Sequence, residues 1–242
     1  MTDTKENSAV AKVDDWETTT ERFVAFFDIM GFKDLVLKTK HQDIVNLLEN
    51  LSEVRTTLEK ANNAELTTRK FTSGETKSFT FSDSIIFFSK SNTEADAHKI
   101  TLDCLYLIKV ALEKQIPIKG ALSYGEITVD HKNSIYFGQP IIDAYILHED
   151  LHLFSVIADC QFEKKVITPN LAATKAVFEF YKTPLKSGKS NHFVLKPTSK
   201  HKDAALDNLN KLYHTVSGKP RQYIDNTIEF INSIKYKKSQ NN

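Results

Sequence analysis

Two aspartates in apolar surroundings are the side chains of this sequence most able to do chemistry. Asp28 lies near the end of the hydrophobic run Phe23–Ile29, three residues before Gly31, and Asp83 separates two short runs rich in Phe and Ile. If these runs are neighbouring strands of one antiparallel sheet, the two carboxylates converge, and close anions either raise a pKa or bind a cation. Mg²⁺ and Mn²⁺ prefer oxygen ligands, and two such ions can assist phosphoryl transfer. The pattern therefore indicates a two-metal site.

Each aspartate also has an ordinary structural explanation. Asp28 could be the N-cap of a helix beginning within GFKDLV, and Asp83 could be an exposed residue at the tip of a hairpin. Aspartate suits both positions, because its carboxylate accepts hydrogen bonds from nearby backbone amides. Considered one at a time, the two residues leave both explanations open.

The order of the surrounding segments resembles a known family. FFDIMGF (26–32), a hairpin with an aspartate at its tip, IKGALSYGEI (118–127) and FGQPIIDAY (137–145) follow one another as in class III nucleotide cyclases. Among these, the chain is most similar to the bacterial pyrimidine cyclases of the Pycsar antiphage system. The resemblance covers about residues 22–195.

The resemblance implies a set of site residues. Asp28 and Asp83 match the metal-binding aspartates, and the backbone of Ile29, Gly31 and Phe32 would complete a cradle for metal and phosphate. Lys119 matches a basic residue that contacts the phosphates. In the late hairpin, Lys186 matches a lysine that reaches the triphosphate, although each lysine could also be a solvated surface residue. The implied catalytic residues are Asp28, Asp83 and Lys119.

The departures from the purine cyclases concern the base. Those enzymes carry a lysine and an aspartate where this sequence has Phe79 and Ile135, and neither side chain can hydrogen-bond a base edge. A bulky Phe also makes the pocket smaller, which favours a pyrimidine. Tyr124, Tyr136 and Tyr145 are candidates to face the nucleotide, although each could equally be a packed tyrosine.

A second departure concerns charge stabilisation. Ile142 and Ile146 stand near the positions of the family's Asn and Arg, and Asp143, Tyr145 and His148 are the polar groups left on that helix. The absence of this Asn and Arg is compatible with a catalytically silent homologue or with a feature of the pyrimidine subfamily. It leaves the residue that stabilises the charge of the transition state unidentified. The histidines show no arrangement typical of a metal site.

The resemblance thus implies a cyclase that converts UTP to 3′,5′-cyclic UMP and pyrophosphate with two Mn²⁺ or Mg²⁺ ions. The alternatives are a cytidylate cyclase that uses CTP and a silent, nucleotide-binding dimer. The family's sites form between two subunits, so we expect a homodimer with composite active sites and an apolar contact around residues 137–147. The product would activate a separate cyclic-nucleotide effector protein in antiphage defence.

Composition limits the remaining classes. A net charge of +1 over 242 residues gives no overall field for nucleic acid or an anionic membrane. Cys104 and Cys160, both within apolar stretches, are expected to be buried free thiols in a reducing compartment. The first residues lack an apolar signal core and no apolar run reaches membrane-spanning length, so we expect a cytoplasmic protein with no membrane partner.

The elements that would position the site have recognisable periodicities. Strand-like runs alternate with helix-like stripes, which predicts an α+β, ferredoxin-like cyclase domain with a central, mostly antiparallel sheet. We expect a disordered tail over 1–21, the cyclase domain over 22–200, a C-terminal helical extension over 201–236 and a flexible tail over 237–242. Residues 62–77 are predicted to be a polar connector, 169–181 a helix, 183–197 a lysine-bearing hairpin, and 203–235 two helices separated at Ser217–Pro220.

Overall fold

A single eight-stranded sheet organises the chain in the computed structural model, which describes residues 15–60, 74–198 and 202–235. Seven strands lie in the order β2-β3-β1-β4-β6-β8-β7, and β5 pairs with β4 outside that path. All neighbours are antiparallel except β4 and β6. The predicted α+β class with a mostly antiparallel sheet is confirmed. The strands are β1 Thr19–Ile29, β2 Thr76–Phe81, β3 Ser84–Ser89, β4 Ile118–Asp130, β5 Ile135–Phe137, β6 Val156–Ala158, β7 Phe178–Leu185 and β8 Gly188–Leu195.

Helices cover both faces of this sheet. Their bounds are α1 Phe32–Lys38, α2 His41–Lys60, α3 Glu94–Glu113, α4 Gln139–Asp150, α5 Cys160–Phe162 with a π-helical continuation Glu163–Ile167, α6 Ala172–Lys175, α7 Asp203–Tyr213 and α8 Lys219–Ser233. None of the helices in the described ranges is both long and apolar enough to cross a bilayer.

Strand β1 is central because its apolar residues are buried on both faces. Phe23, Ala25, Phe27 and Ile29 belong to a core cluster with α2 and α3, whereas Val24 and Phe26 belong to a second cluster with α4. Successive side chains of a strand point to opposite faces. Asp28 therefore continues the row of Val24 and Phe26 and lies on the side of the sheet that α4 covers.

The predicted helix over 169–181 is wrong. Only α6 is helical there, and β7 begins at Phe178, which pairs with Leu195 of β8. The segment VFEFY is rich in β-branched and aromatic residues, which are common in strands. The hairpin predicted after it is confirmed, and its tip lies at Lys186.

The ends of the predicted segments also shift. β1 begins at Thr19, within the stretch expected to be disordered, and β2 takes in the end of the predicted connector, from Thr76. The rest of that tail up to residue 14, the connector from 62 to 73 and the tail 237–242 lie outside the described residues. Cys104 is buried as expected, but Cys160 is exposed because it opens α5 at the surface.

The two C-terminal helices are packed into the body of the protein. The split at residues 217–220 separates α7 from α8 as predicted. Leu209 of α7 is buried, and α8 contributes Ile224 to the first core cluster and Phe230 to the second. Thr227 accepts a hydrogen bond from the backbone amide of Phe154. The α8 helix therefore stabilises both sides of the sheet.

Candidate active site

The two aspartates meet at one end of the sheet. Asp28 is the cross-strand partner of Ser84, and the Ile29 amide donates to the Asp83 carbonyl oxygen at 3.1 Å. Burial, and then the charge of Asp83, raise the pKa of Asp28 to about 7, while Lys119 opposes the shift. The structure therefore places the two aspartates next to each other, and Asp83 acts on the Asp28 carboxyl group through both charge and hydrogen bonding.

Neither ordinary explanation accounts for this arrangement. The N-cap of α1 is Gly31, at φ 74°, and no side chain caps that helix end, so the N-cap interpretation of Asp28 is wrong. Asp83 does lie in the two-residue turn Ser82–Asp83, but it is half-buried, not exposed. Its carbonyl oxygen accepts the hydrogen bond from Ile29, so the turn lies against β1.

The strand-to-helix turn offers fewer backbone donors than the sequence predicted. The amides of Ile29 and Met30 donate to the carbonyl oxygens of Asp83 and Pro117. Ile29 could therefore serve a metal only through its carbonyl oxygen. Phe32 is 9% exposed and its side chain packs in the first core cluster, whereas Gly31 is exposed.

Lys119 lies directly opposite Asp28 on β4, but its ammonium is engaged. It is 1% exposed, and Nζ donates to the carbonyl oxygens of Glu149 (3.1 Å) and Leu151 (3.2 Å) at the end of α4. Burial and the nearby charge of Lys186 lower the pKa of Lys119 to about 8. The surface-residue alternative is wrong for this lysine, which caps a helix C-terminus as well as facing Asp28.

Lys186 approaches the same place from the β7–β8 turn. Its Nζ lies 3.3 Å from Glu149 Oε2, and its backbone amide donates to the Asp150 carbonyl oxygen. The side chain is half exposed, so this ion pair is easily exchanged. The structure therefore brings Lys186 to the rim of the site, where it pairs with the Glu149 carboxylate.

His148 forms the floor beside Asp28. It is 1% exposed, and its ring lies 4.7 Å from that of Phe26 and 5.2 Å from that of Tyr145. Burial and the charge of Lys119 lower the pKa of His148 to about 4, so the ring is neutral at physiological pH. One oxygen of Glu149 lies 3.5 Å from His148 Nε2.

Tyr223 of α8 completes the back wall. Its ring stacks on Phe154 with centroids 5.9 Å apart, and the Lys119 ammonium lies 5.7 Å from its centroid. Burial, and the charges of Glu149, Asp150 and Asp28, raise the pKa of Tyr223. Glu149 and Tyr223 were not among the predicted site residues, since no local motif marks them.

The groups suspected of facing the base form an aromatic cluster further along the sheet. Phe79 packs on Tyr136 with centroids 4.8 Å apart, and Tyr136 stacks on Phe88 at 5.8 Å. Phe88 pairs with Val24, four strand positions from Asp28, or about 13 Å. This cluster and the aspartates share a face of the sheet but are too far apart to touch the same group of a nucleotide.

Two other predicted tyrosines have different surroundings. Tyr124 packs in the cluster on the opposite face and donates to Glu21, so the structure does not bring it to Asp28. Tyr145 lies on α4 with its ring 5.5 Å from Phe26 and half of its surface exposed. It is therefore close to His148 and accessible from outside.

The outer side of α4 is an exposed apolar surface, here called the α4 face. Ile142 is 52% and Ile146 60% exposed, and Phe137, just before the helix, is 62% exposed. These side chains, with Tyr145, form the α4 face. Ile142 and Ile146, which stand near the positions of the Asn and Arg of the cyclases that the sequence resembles, are therefore exposed on the outer side of α4.

The donor set fits a hard divalent cation. Asp28 and Asp83 supply carboxylate oxygens whose mutual repulsion a cation would relieve, and the Ile29 carbonyl is adjacent. These residues, in oxygen type and in proximity, could hold the two ions that the resemblance implies.

Comparison with known proteins identifies the fold. No protein-family model matches the chain, and no curated protein matches it. Among solved structures, the guanylate cyclase domain of RhGC from Catenaria anguillulae in complex with GTP superposes with a TM-score of 0.53 at 14% identity, over 74% of this chain and 98% of that one. The adenylyl cyclase CyaB from P. aeruginosa gives a TM-score of 0.52 at 14% identity, over 75% and 97%.

A third structure adds a slightly higher score. The monomeric guanylyl cyclase domain of the RhoGC fusion protein from Blastocladiella emersonii superposes with a TM-score of 0.55 at 13% identity, over 74% of this chain and 96% of that one. The predicted class III cyclase fold is therefore confirmed. At such low identity the likeness concerns the fold.

Proposed function

We propose that this chain, which has the fold of class III cyclase domains, is a pyrimidine nucleotidyl cyclase. Its substrate would be UTP, with CTP as the alternative, and its products 3′,5′-cyclic UMP and pyrophosphate. The observation that carries the proposal is the meeting of Asp28 and Asp83 at the end of β1, with the Asp28 pKa raised to about 7. A half-buried acidic pair with a raised pKa is typical of a functional site.

The reaction requires positioning and charge more than covalent chemistry. The ribose 3′-hydroxyl attacks the α-phosphorus, the bond from that phosphorus to the bridging oxygen breaks, and the hydroxyl proton passes to solvent. Mn²⁺ or Mg²⁺ bound at Asp28 and Asp83 would lower the pKa of the hydroxyl and neutralise the phosphates. Lys119 and Lys186 would orient the triphosphate by charge, with Lys186 exchanging Glu149 for a phosphate.

The aromatic cluster supports a pyrimidine base. Phe79 and Ile135 stand where the purine cyclases hydrogen-bond their base, and neither can form such a bond. The ring of Phe79 packs on that of Tyr136. A flat ring stacked on an aromatic gains affinity without hydrogen bonds. A small base lying against Phe79 and Tyr136, with Tyr145 beside the site, fits these contacts.

The α4 face supports a homodimer. All four large side chains of this face are at least half exposed, and soluble monomers rarely expose large apolar patches. A second copy that covers the face would bring its own Phe79 and Tyr136 toward the aspartates of the first. Each of the two equivalent sites would then be composite.

A catalytically silent dimer is the second candidate. It is favoured by Ile142 and Ile146, which leave the usual charge-stabilising positions apolar and exposed. Such a protein would bind a nucleotide as a sensor without converting it. Binding without turnover distinguishes it from the cyclase.

The experiment is a product assay on the purified protein. Each of ATP, GTP, CTP and UTP is incubated with Mn²⁺ or Mg²⁺, and products are identified by mass spectrometry. We expect cyclic UMP from UTP, loss of product with Asp28→Ala or Asp83→Ala, and retention with Asp34→Asn, an exposed acid of α1. No cyclic product from any nucleotide, in the presence of bound metal, would remove the enzyme proposal.

The proposed biological role is antiphage defence, through a separate effector that binds the cyclic pyrimidine nucleotide. Cells that carry the chain and its effector should resist phage, and Asp28→Ala should abolish the resistance. Equal plaque counts with wild type and Asp28→Ala would contradict this role without affecting the enzymatic proposal.

A further inference from the structure

One cluster beside the aspartate pair contains a nitrogen donor. The carboxylate oxygens of Asp28 and Glu149 and a ring nitrogen of His148 all lie within 4.8 Å of one another. Asp28 comes from the end of β1, and the other two come from the last turn of α4. Three potential ligands of mixed N and O type thus converge from two elements of the same chain.

We propose that Asp28, His148 and Glu149 form a divalent-cation site with an imidazole ligand, next to the Asp28–Asp83 pair. The site deepens the proposed function, on which it rests for the role of the ion, but the binding of the ion can be measured without the reaction. Neither the motif resemblance nor the periodicity of α4 pointed to it.

The imidazole of His148 is held at the edge of this cluster. The side chain is 1% exposed, and Nε2 is the ring nitrogen that lies beside Glu149. A buried imidazole nitrogen that lies next to carboxylate oxygens is a suitable metal ligand. The ring is held between Phe26 and Tyr145, with its Nε2 atom 3.5 Å from Glu149 Oε1, so its orientation toward the two carboxylates is fixed by packing.

The neighbouring lysines leave room for a cation. Lys119 donates to the carbonyl oxygens of Glu149 and Leu151 at the end of α4, and these two hydrogen bonds engage its ammonium group. Lys186 pairs with Glu149 at 3.3 Å, but it is half exposed on a hairpin turn, and exposed ion pairs contribute little stability. A bound ion would replace Lys186 and free it to move toward a phosphate.

The donor set selects the class of ion. Carboxylates bind both Mg²⁺ and transition metals, but an imidazole nitrogen favours Mn²⁺, Co²⁺ and Zn²⁺ over Mg²⁺. We therefore expect this site to take Mn²⁺ in preference to Mg²⁺.

The experiment observes the ligand nitrogen directly. Metal-free protein is loaded with one equivalent of Mn²⁺ without nucleotide, and pulsed EPR is used to detect ¹⁴N coupled to the ion. We expect histidine coupling in the wild type and its loss in His148→Phe. Glu149→Gln should retain the coupling and weaken Mn²⁺ binding by at least about tenfold, while His41→Gln, an exposed histidine of α2, should change neither.

Failure of this site and failure of the cyclase proposal are distinguishable. Asp83→Asn should abolish turnover but keep the ¹⁴N coupling, because Asp83 is not in the cluster. Absence of ¹⁴N coupling in the wild type, or its persistence in His148→Phe, would overturn the inference whatever the product assay shows. If His148→Phe fails to fold, an unchanged Mn²⁺ affinity in folded Glu149→Gln overturns it equally.

Discussion

Asp28 and Lys119 are direct cross-strand partners in the β1–β4 ladder, and each favours the charged form of the other. Burial nevertheless dominates at both positions, so the pKa of the acid is raised and that of the base is lowered. Their attraction therefore only reduces the cost of placing two charges in the interior. A phosphate and its metal ions would relieve both charges at once.

The stability of the metal-free protein should depend on pH through Asp28. Its pKa is 3.8 in the unfolded reference and about 7 when folded, so the folded state holds more protons between these values. Stability from this group is therefore lost as pH rises from about 4 to about 7. Asp28→Asn removes that loss, and we expect it to raise the free energy of unfolding at pH 8 by about 1–2 kcal/mol, less than the full shift implies because the group is partly exposed.

This prediction is measured by urea unfolding in EDTA at pH 5 and pH 8. The gain from Asp28→Asn should be larger at pH 8, and the control Asp34→Asn on α1 should show little dependence on pH. A gain that is equal at both values would contradict the assigned cause.

Lys119 should contribute to folding as well as to phosphate binding. Lys119→Met keeps the buried stem but leaves the carbonyl oxygens of Glu149 and Leu151 without their donor. We expect a loss of about 1–3 kcal/mol in the free energy of unfolding, together with a large loss of turnover. Lys109→Met, on the exposed side of α3, is the matched control. Unchanged stability would mean that these two hydrogen bonds are not maintained in solution.

A substitution of Tyr223 tests whether α8 is needed for the stability of the domain that carries the site. Its ring packs on Phe154 and His152 and lies beneath Lys119, and it is 7% exposed. Tyr223→Ala should lower stability by about 3–5 kcal/mol and reduce turnover, because the back wall of the site is lost. Thermal unfolding measures the first effect, with Tyr106→Ala on α3, which is 42% exposed, as the control. A stability loss no larger than that of the control would make α8 a dispensable appendage.

Composite sites predict complementation between inactive variants. If Asp28 of one subunit and Phe79 of its partner serve one nucleotide, a mixture of Asp28→Asn and Phe79→Ala chains contains heterodimers with one intact site. After co-refolding in equal amounts we expect about a quarter of wild-type turnover. A mixture of Asp28→Asn with Asp83→Asn should recover nothing, because both defects fall in the same half of each site. No recovery in the first mixture would place the whole site within one chain.

Local sequence patterns were enough to predict much of the secondary structure. The apolar run before Asp28, the two β-rich runs around Asp83 and the helical stripe of α3 each depend on residues close together in the chain, and these elements formed as predicted. The helix predicted over 169–181 is wrong because the segment VFEFY has no strict alternation that would distinguish a strand from a helix, and its strand conformation depends on pairing within the β7–β8 hairpin. Its partner at 188–195 was needed to decide between the two structures.

The sequence by itself determined that the two aspartates stand at the ends of strand-like runs, because the pattern of apolar residues depends only on residues close together in the chain. That these runs are neighbouring strands was decided by the fold. Only the tertiary structure decided that His148, Glu149 and Tyr223 surround Asp28, and that Lys119 is occupied by the end of α4. These contacts join β1, β4, α4 and α8, which are far apart in the chain. The packing of helices on the sheet creates them, and it depends on the shape of the whole core and not on any local motif.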